Sequence, residues 1–484
     1  MAVPELGERR IDDSTPEVLD IANVNVDIET DVLIAGGGGT GLVAALAAAE
    51  RTDGTVTILE KSHRLGGNTS LSTGMIPAAG TRFQREAGIE ETPADMARDI
   101  LEKNDYEADE GLVHHLCTES KDLIHWLVDD WDITLQFVDD FTYPQHSTYR
   151  MHAPPGRNGE NLVEELAERI EATDDIELLK HTPVKKLVAD GDTVVGVVAG
   201  ETHDEVIGAS AVVLATDGFA GNRRMVERHC GQIADALYFG SDGNTGDGIR
   251  WGAALDAELA CMDSYQGHAT VVQGTGALST YAVIMNGGFL VNEAGKRFGN
   301  EAKGYSALAI DVVEQPNNVA YEIFDKRIFE KLKGEFDDFD EAVELGSYIS
   351  ASDIETLAEK LGCAPAATAN ALKSYNKAVR DEEPDSVGRV DGRSVLEPPY
   401  YGATVTGSLF HTQGGLVVDK HGRVCKSEGG TVENLYAGGG SAVGISGHGA
   451  GGYLSGNGLT TALGLGRLAG MHAGSTLEKR DSSE

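Results

Sequence analysis

Cysteine is scarce and unpatterned: Cys117, Cys230, Cys261, Cys363 and Cys425 are scattered over 484 residues and never approach a CxxC or CxxCH spacing. That excludes a disulfide framework, a cysteine-ligated iron–sulfur cluster and a c-type haem as organising features. Positive charge is also short, with 39 Lys and Arg against 78 Asp and Glu, for a formal net charge of −39. Acidic stretches such as 105–110 and 335–341 repel phosphate and anionic lipid, so nucleic acid is not an expected partner. A surface this acidic suits a cytoplasm of high salt, where counter-ions screen the repulsion, and a halophilic, cytoplasmic protein is the expectation. With 13 prolines and 41% hydrophobic residues, the chain is neither collagenous nor low in core-forming side chains.

Long apolar runs are missing too. Residues 1–29 are acidic and polar, without the basic start and apolar stretch of a signal peptide. The run from Val32 to Ala49 approaches membrane-span length, yet six of its residues are glycine or threonine. It reads as strand, loop and helix, and no membrane span is expected. His114 and His115 are adjacent, without metal-ligand spacing, and read as surface or helix-packing residues; no metal is expected.

What the chain has in abundance is glycine, 61 residues, concentrated near the two ends. Asp31 to Ala35 is a buried-strand run, Leu42 to Glu50 is Ala-rich and helix-prone, and between them Gly36, Gly38 and Gly41 satisfy GxGxxG. A second strand, Thr55 to Leu59, ends at Glu60, an acid 24 residues after Gly36 and suitably placed for a ribose hydroxyl. Glycine is needed there because the chain must turn tightly, bring backbone N–H groups up to a pyrophosphate and pack the helix on the strand. The sequence therefore predicts an α/β, Rossmann-type dinucleotide-binding domain.

Pro183 to Leu214 alternates like paired strands and ends in the apolar run 211–215, a return to the parallel sheet, and 93–174 is mostly helical by periodicity. From Cys261 to Phe410 the glycine signals vanish, then return at Gln413-Gly414-Gly415, at Leu435 to Gly440 and at Gly444 to Gly458, before a helix-like end at 459–473. At 484 residues two packed units are expected. The predicted division is an acidic segment 1–29, a dinucleotide domain of 30–260 and 411–484, and an inserted α+β capping, or substrate, domain of 261–410.

On these residues the chain resembles the fumarate reductase and succinate dehydrogenase flavoprotein superfamily, whose members include 3-ketosteroid dehydrogenases. The likeness runs from about Asp31 to Ala473. It is carried by Gly66-Gly67-Asn68-Thr69-Ser70 with Ser72 and Gly74, by 215–219, by 245–248, by Arg297 to Glu301 of an RFxNE signature, by Gln266 to Thr270 and by His411 to Gly415. The resemblance implies FAD. On the ADP side it implies Gly36, Gly38, Gly39, Thr40, Gly41, Glu60 and Lys61. Toward the flavin it implies Gly66, Gly67, Asn68, Thr69, Ser70, Ser72, Thr73 and Gly74, and from the returning segments Val184, Ala215, Thr216, Asp217, Asp247, Gly439, Gly440, Leu454 and Ser455. The histidine that carries covalent FAD in respiratory members has no counterpart near Asn68, which implies a noncovalent cofactor. Two departures stand out: Asp217 replaces a usual glycine, and Gly440 replaces an acid that often contacts the ribityl chain.

The resemblance also locates the chemistry. Fumarate reductases clamp a dicarboxylate with two arginines, whereas here those positions are Tyr305 and Tyr453; the relay acid and relay arginine are Tyr281 and Ile284. His268 and His411 remain where that family has substrate-contacting histidines. Burying two carboxylates without guanidinium partners is costly, which disfavours a dicarboxylate and turns the expectation to a neutral ketone. Tyr453 and Ser455, spaced Y-x-S-G, look most like the 3-ketosteroid Δ4-dehydrogenase branch. The expected reaction introduces or reduces a C=C bond next to a ketone, with hydride passing to or from flavin N5. Tyr453 is the expected base, as a phenolate favoured by a following helix N-terminus, and Ser455 and Tyr305 support it or bind the carbonyl. An organic-acid reductase of the fumarate or urocanate type, and a flavin-binding module without catalysis, are the alternatives. With no cluster or haem of its own, the chain is expected to use a separate electron acceptor or donor.

Overall fold

The computed structural model describes residues 17–481, with side chains as far as 477. Of the acidic N-terminal segment, residues 1–16 lie outside the described residues, while Val18–Asp20 pairs in parallel with Val184–Asp190 as the edge of a nine-stranded sheet. That sheet continues through Thr193–Ala199, Thr431–Ala437, Glu205–Leu214, Ile28–Ala35 and Val56–Leu59 to Ile176–Leu179. Its centre is parallel, with Leu33 between Val212 and Thr57 and Ala35 between Leu214 and Leu59.

The strand Ile28–Ala35 is apolar without alternation from Val32 onward because both faces are covered; Val32, Leu33 and Ile34 are fully buried. Each contributes roughly 1.5–3 kcal/mol by leaving water. The chain then turns at Gly36, whose φ of +115° and 2.3 Å clearance from the Ala215 carbonyl to a would-be Cβ admit only glycine. The helix Gly39–Ala49 begins there and is buried from end to end except for Ala49. Against it lies the long C-terminal helix Asn457–Asp481. Gly466, Gly470 and Gly474 recur every four residues on that helix, and a Cβ on them would meet the carbonyls of Thr40, Ala44 and Ala48 at 2.6, 2.1 and 2.7 Å. The late glycines thus let the two helix backbones touch, which is why the end of the chain returns to its beginning.

A second, six-stranded sheet centres on Tyr400–Thr412, which pairs antiparallel with Tyr265–Val272, Val319–Asp325 and Ile349–Ala351. It recruits Leu237–Tyr238 in parallel and Phe289–Val291 at its edge. Register shifts flank Gly267 and His268 and locally re-aim the side chains there. The helix Tyr305–Val313 packs on this strand, with a Cβ on Gly267 only 2.7 Å from Ala309 Cβ. No helix among the described residues is long and apolar enough to cross a membrane.

Candidate active site

One cavity of about 2270 Å³ is lined by residues of both sheets. It exceeds the ~300–1,000 Å³ of an ordinary small-molecule pocket, leaving room for a dinucleotide and a second compound. Every site residue expected from sequence lines it, apart from Gly41, Gly74 and Leu454. Those three do packing work instead. A Cβ on Gly41 would lie 1.9 Å from the Gly36 carbonyl, one on Gly74 would meet Pro154, and Leu454 is buried in a hydrophobic cluster.

At one end three glycine-rich segments converge. Gly66 N–H donates to the Gly37 carbonyl at 2.8 Å, a Cβ on Gly39 would lie 2.5 Å from Thr69 Oγ1, and one on Gly439 would lie 2.4 Å from Thr40 Oγ1. The result is a cradle of bare backbone at the N-terminus of an 11-residue helix, suited to a pyrophosphate. Glu60 accepts from Gly37 N–H at 2.7 Å and Ser62 N–H at 2.6 Å, so its carboxylate is fixed at the strand end with lone pairs to spare for a ribose. Lys61 pairs with Asp247 at 3.0 Å and reaches Thr245, while Thr216 is tied to Ser441. Arg223, Arg224 and Arg250 line this side as well, on helices that follow Asn222 and Asp247.

The other end is aromatic. His268 stacks on Tyr305 with centroids 4.8 Å apart and on Phe410 at 5.1 Å, and Phe410 stacks in turn on Phe239. The Tyr305 and Tyr453 rings are 6.1 Å apart, with Ser455 close to the Tyr305 hydroxyl. Tyr453 accepts from Gly458 N–H at 3.4 Å, the first turn of the C-terminal helix, and meets His411 edge-on. Among the described residues, no hydrogen bond or ring contact of Tyr305, Tyr453, His268 or His411 involves arginine or lysine.

Protonation follows from burial. Desolvation lowers His268 to about 3 and also lowers His411, so both are neutral. Thr270 N–H donates to His268 Nδ1, which leaves the ring proton on Nε2. Desolvation likewise pushes the Tyr305 phenol up to about 12, and raises Tyr453 still more decisively, with neighbouring Tyr305 adding to it. The helix N-terminus does act on Tyr453 through Gly458, in the expected direction, but it is outweighed. Burial thus works against the expected phenolate and favours the protonated phenol at both positions.

Tyr281 lines the wall with its ring, but its hydroxyl donates to the Glu301 carbonyl at 2.6 Å. The RFxNE segment is a buried ionic lock: Arg297 joins Glu301 and Asp385. It anchors the turn that starts the helix bearing Tyr305. Sequence reading missed Tyr143, which packs edge-on against Tyr305, and also the stacking rings Phe239 and Phe410. It also missed Glu322, fully buried one Ser279 hydroxyl away from Tyr348, with Oε1 unpartnered. Burial raises Glu322 to about 8. The folded chain thus holds a proton that the unfolded chain releases above the ordinary carboxylate range, so stability drains away as pH rises toward 8. Glu322→Gln is expected to denature at higher urea than the parent at pH 8.5, by a few kcal/mol (order of magnitude), with the advantage gone at pH 5.

The chain matches the FAD binding domain family over residues 31–459. It is 30% identical over 449 residues to the NADH:fumarate oxidoreductase of Klebsiella pneumoniae (strain 342), covering 92% of this chain and 47% of that relative. It thus spans about half the length of that protein. Among solved structures, it is similar to the open conformation of a flavocytochrome c3 fumarate reductase, with TM-score 0.78 and 27% identity over 94% of this chain and 79% of that one. It is also similar to the 3-ketosteroid-delta4-(5alpha)-dehydrogenase of Rhodococcus jostii RHA1, solved with 4-androstene-3,17-dione, with TM-score 0.74 and 25% identity over 95% and 99% of the two chains. The chain belongs to the FAD binding domain family, and the glycine cradle, Glu60 and the helix N-terminus fit FAD as its cofactor.

Proposed function

We propose that this family member is an oxidoreductase that introduces or reduces a C=C bond conjugated to a ketone, in a neutral and largely apolar substrate of steroid-like class. The observation that carries the reading is the aromatic end of the cavity, where two phenols and two uncharged histidines meet without a guanidinium or ammonium partner. Such a wall solvates a carbonyl with hydrogen-bond donors and ring area, and leaves a dicarboxylate uncompensated.

FAD, when bound, supplies the hydride acceptor or donor. The chain's residues handle the proton. In the reducing direction Tyr453, a protonated phenol, donates to the carbon alpha to the carbonyl, and Tyr305 and Ser455 hold its hydroxyl in line. In the oxidising direction Tyr453 must first give up its phenolic proton, by way of neighbouring hydroxyls such as Tyr305 and Ser455 to solvent, before its oxygen takes the proton from the alpha carbon. Residues 261–410 are proposed as the cap that closes the aromatic wall over the substrate, and FAD is proposed to be held noncovalently.

The reductase names of the sequence relatives favour a second reading, reduction of an organic acid such as fumarate. Anaerobic, chemically reduced holoprotein separates the two. Reoxidation of the flavin by a 3-keto-4-ene steroid but not by fumarate is the expected result; reoxidation by fumarate alone favours the second reading and overturns the first.

A further inference from the structure

Asp217 and Gly440 lie 223 residues apart in the chain and pack against each other. Asp217 follows the strand Glu205–Leu214 with φ +62°, a left-handed conformation that few side chains adopt and that Asp and Asn tolerate best. Its carboxylate is fixed from both sides: Oδ1 accepts from Gly218 N–H at 2.8 Å, and Oδ2 accepts from Asn68 Nδ2 at 2.8 Å. Asn68 is itself pinned, since its Oδ1 accepts from Ser241 N–H at 2.8 Å.

Opposite stands Gly440, and a Cβ there would lie 2.4 Å from Asp217 Oδ1 and 2.5 Å from Gly218 N. Gly440 has no left-handed φ, so a side chain is excluded there by space and not by backbone strain. The carboxylate and the Gly218 backbone thus pack directly on Gly440, which leaves the Asp217 oxygens facing the cavity without a side chain from 440 between.

That carboxylate lines the cavity midway between the pyrophosphate cradle and the aromatic wall, and its charge is felt at His411 and Tyr238. A flavin dinucleotide spanning the two ends must run its sugar-alcohol chain through this midsection. Hydroxyls there are donors, and each Asp217 oxygen keeps a lone pair free after its one recorded bond.

We propose that Asp217 is the acceptor that holds the polyol chain of FAD in this protein. The inference rests on the FAD site alone and is independent of the substrate.

The test uses purified full-length protein, stripped of flavin and titrated with FAD by fluorescence quenching. Asp217→Gly is expected to weaken FAD binding about 10-fold or more, the scale of a lost charge-assisted hydrogen bond. The melting temperature of the flavin-free variant should not fall, because glycine relieves the left-handed backbone. A purely structural role for Asp217 would lower that temperature. Asp217→Asn keeps the shape and the left-handed tolerance and is expected to weaken binding by a smaller factor. Unchanged FAD affinity in both Asp217 variants would overturn the proposal.

Discussion

Tyr453→Phe is expected to retain bound FAD and to slow single-turnover flavin oxidation or reduction by an enone or ketone substrate about 100-fold or more, the usual scale of acid/base assistance. The hydroxyl removed is the one that accepts from Gly458 N–H, while the ring that packs on His411 and Tyr305 stays. Rapid-mixing absorbance of the flavin band measures the loss directly. Because burial holds the phenol protonated, the parent's reductive rate should stay flat through neutral pH instead of falling with a group near 7. Wild-type rates in the Phe variant would remove Tyr453 from the proton path.

Arg150→Ala is expected to destabilise the protein by about 3–5 kcal/mol at neutral pH. Arg150 is fully buried and pairs with both Glu91 and Asp99, so its removal strands two carboxylates out of water. Glu91 is already raised by desolvation, and the Arg150 charge is the strongest influence that opposes it. Without the guanidinium, the acids can escape the penalty only by taking up protons, so the loss should shrink as pH falls toward 4–5. Equilibrium urea denaturation at two pH values checks both statements. The same arginine reaches the active site at one remove: its Nη1 bonds His146 Nδ1, and His146 Nε2 donates to the Ser455 carbonyl at 3.1 Å. A slower turnover in any folded fraction of the variant is the expected companion effect. An unchanged urea midpoint would mean that the buried pairs contribute nothing net.

The cofactor cradle was legible in the sequence because its signals are local. Gly36 to Gly41, the flanking strand and helix, and Glu60 at the next strand end all lie between Ile28 and Glu60, and backbone geometry leaves little else they could form. The return of the chain was legible only as a density of glycine. Its reason, a four-residue repeat at 466, 470 and 474 that lets two helices meet at backbone distance, depends on the partner helix. Tyr143 was not legible, since it sits in a loop without periodicity and reaches Tyr305 only through the tertiary fold. Nor was the protonation state of Tyr453. The helix N-terminus that follows it is a sequence feature, but the burial that outweighs it comes from the packing of the whole cavity. Asp217 and Gly440 are unrelated along the chain, and only the fold packs the Asp217 carboxylate where a Cβ on Gly440 would lie.

The most direct measurement is the pH dependence of ligand binding to the oxidised holoprotein, followed by perturbation of the flavin spectrum with a neutral 3-keto steroid and with fumarate from pH 5 to 9. The neutral ketone should bind with an affinity that does not change across the range, and fumarate should produce no saturable shift at any pH. Fumarate binding that tightens on acidification would mean that His268 or His411 charges in the site, and that the pocket is built for anions after all.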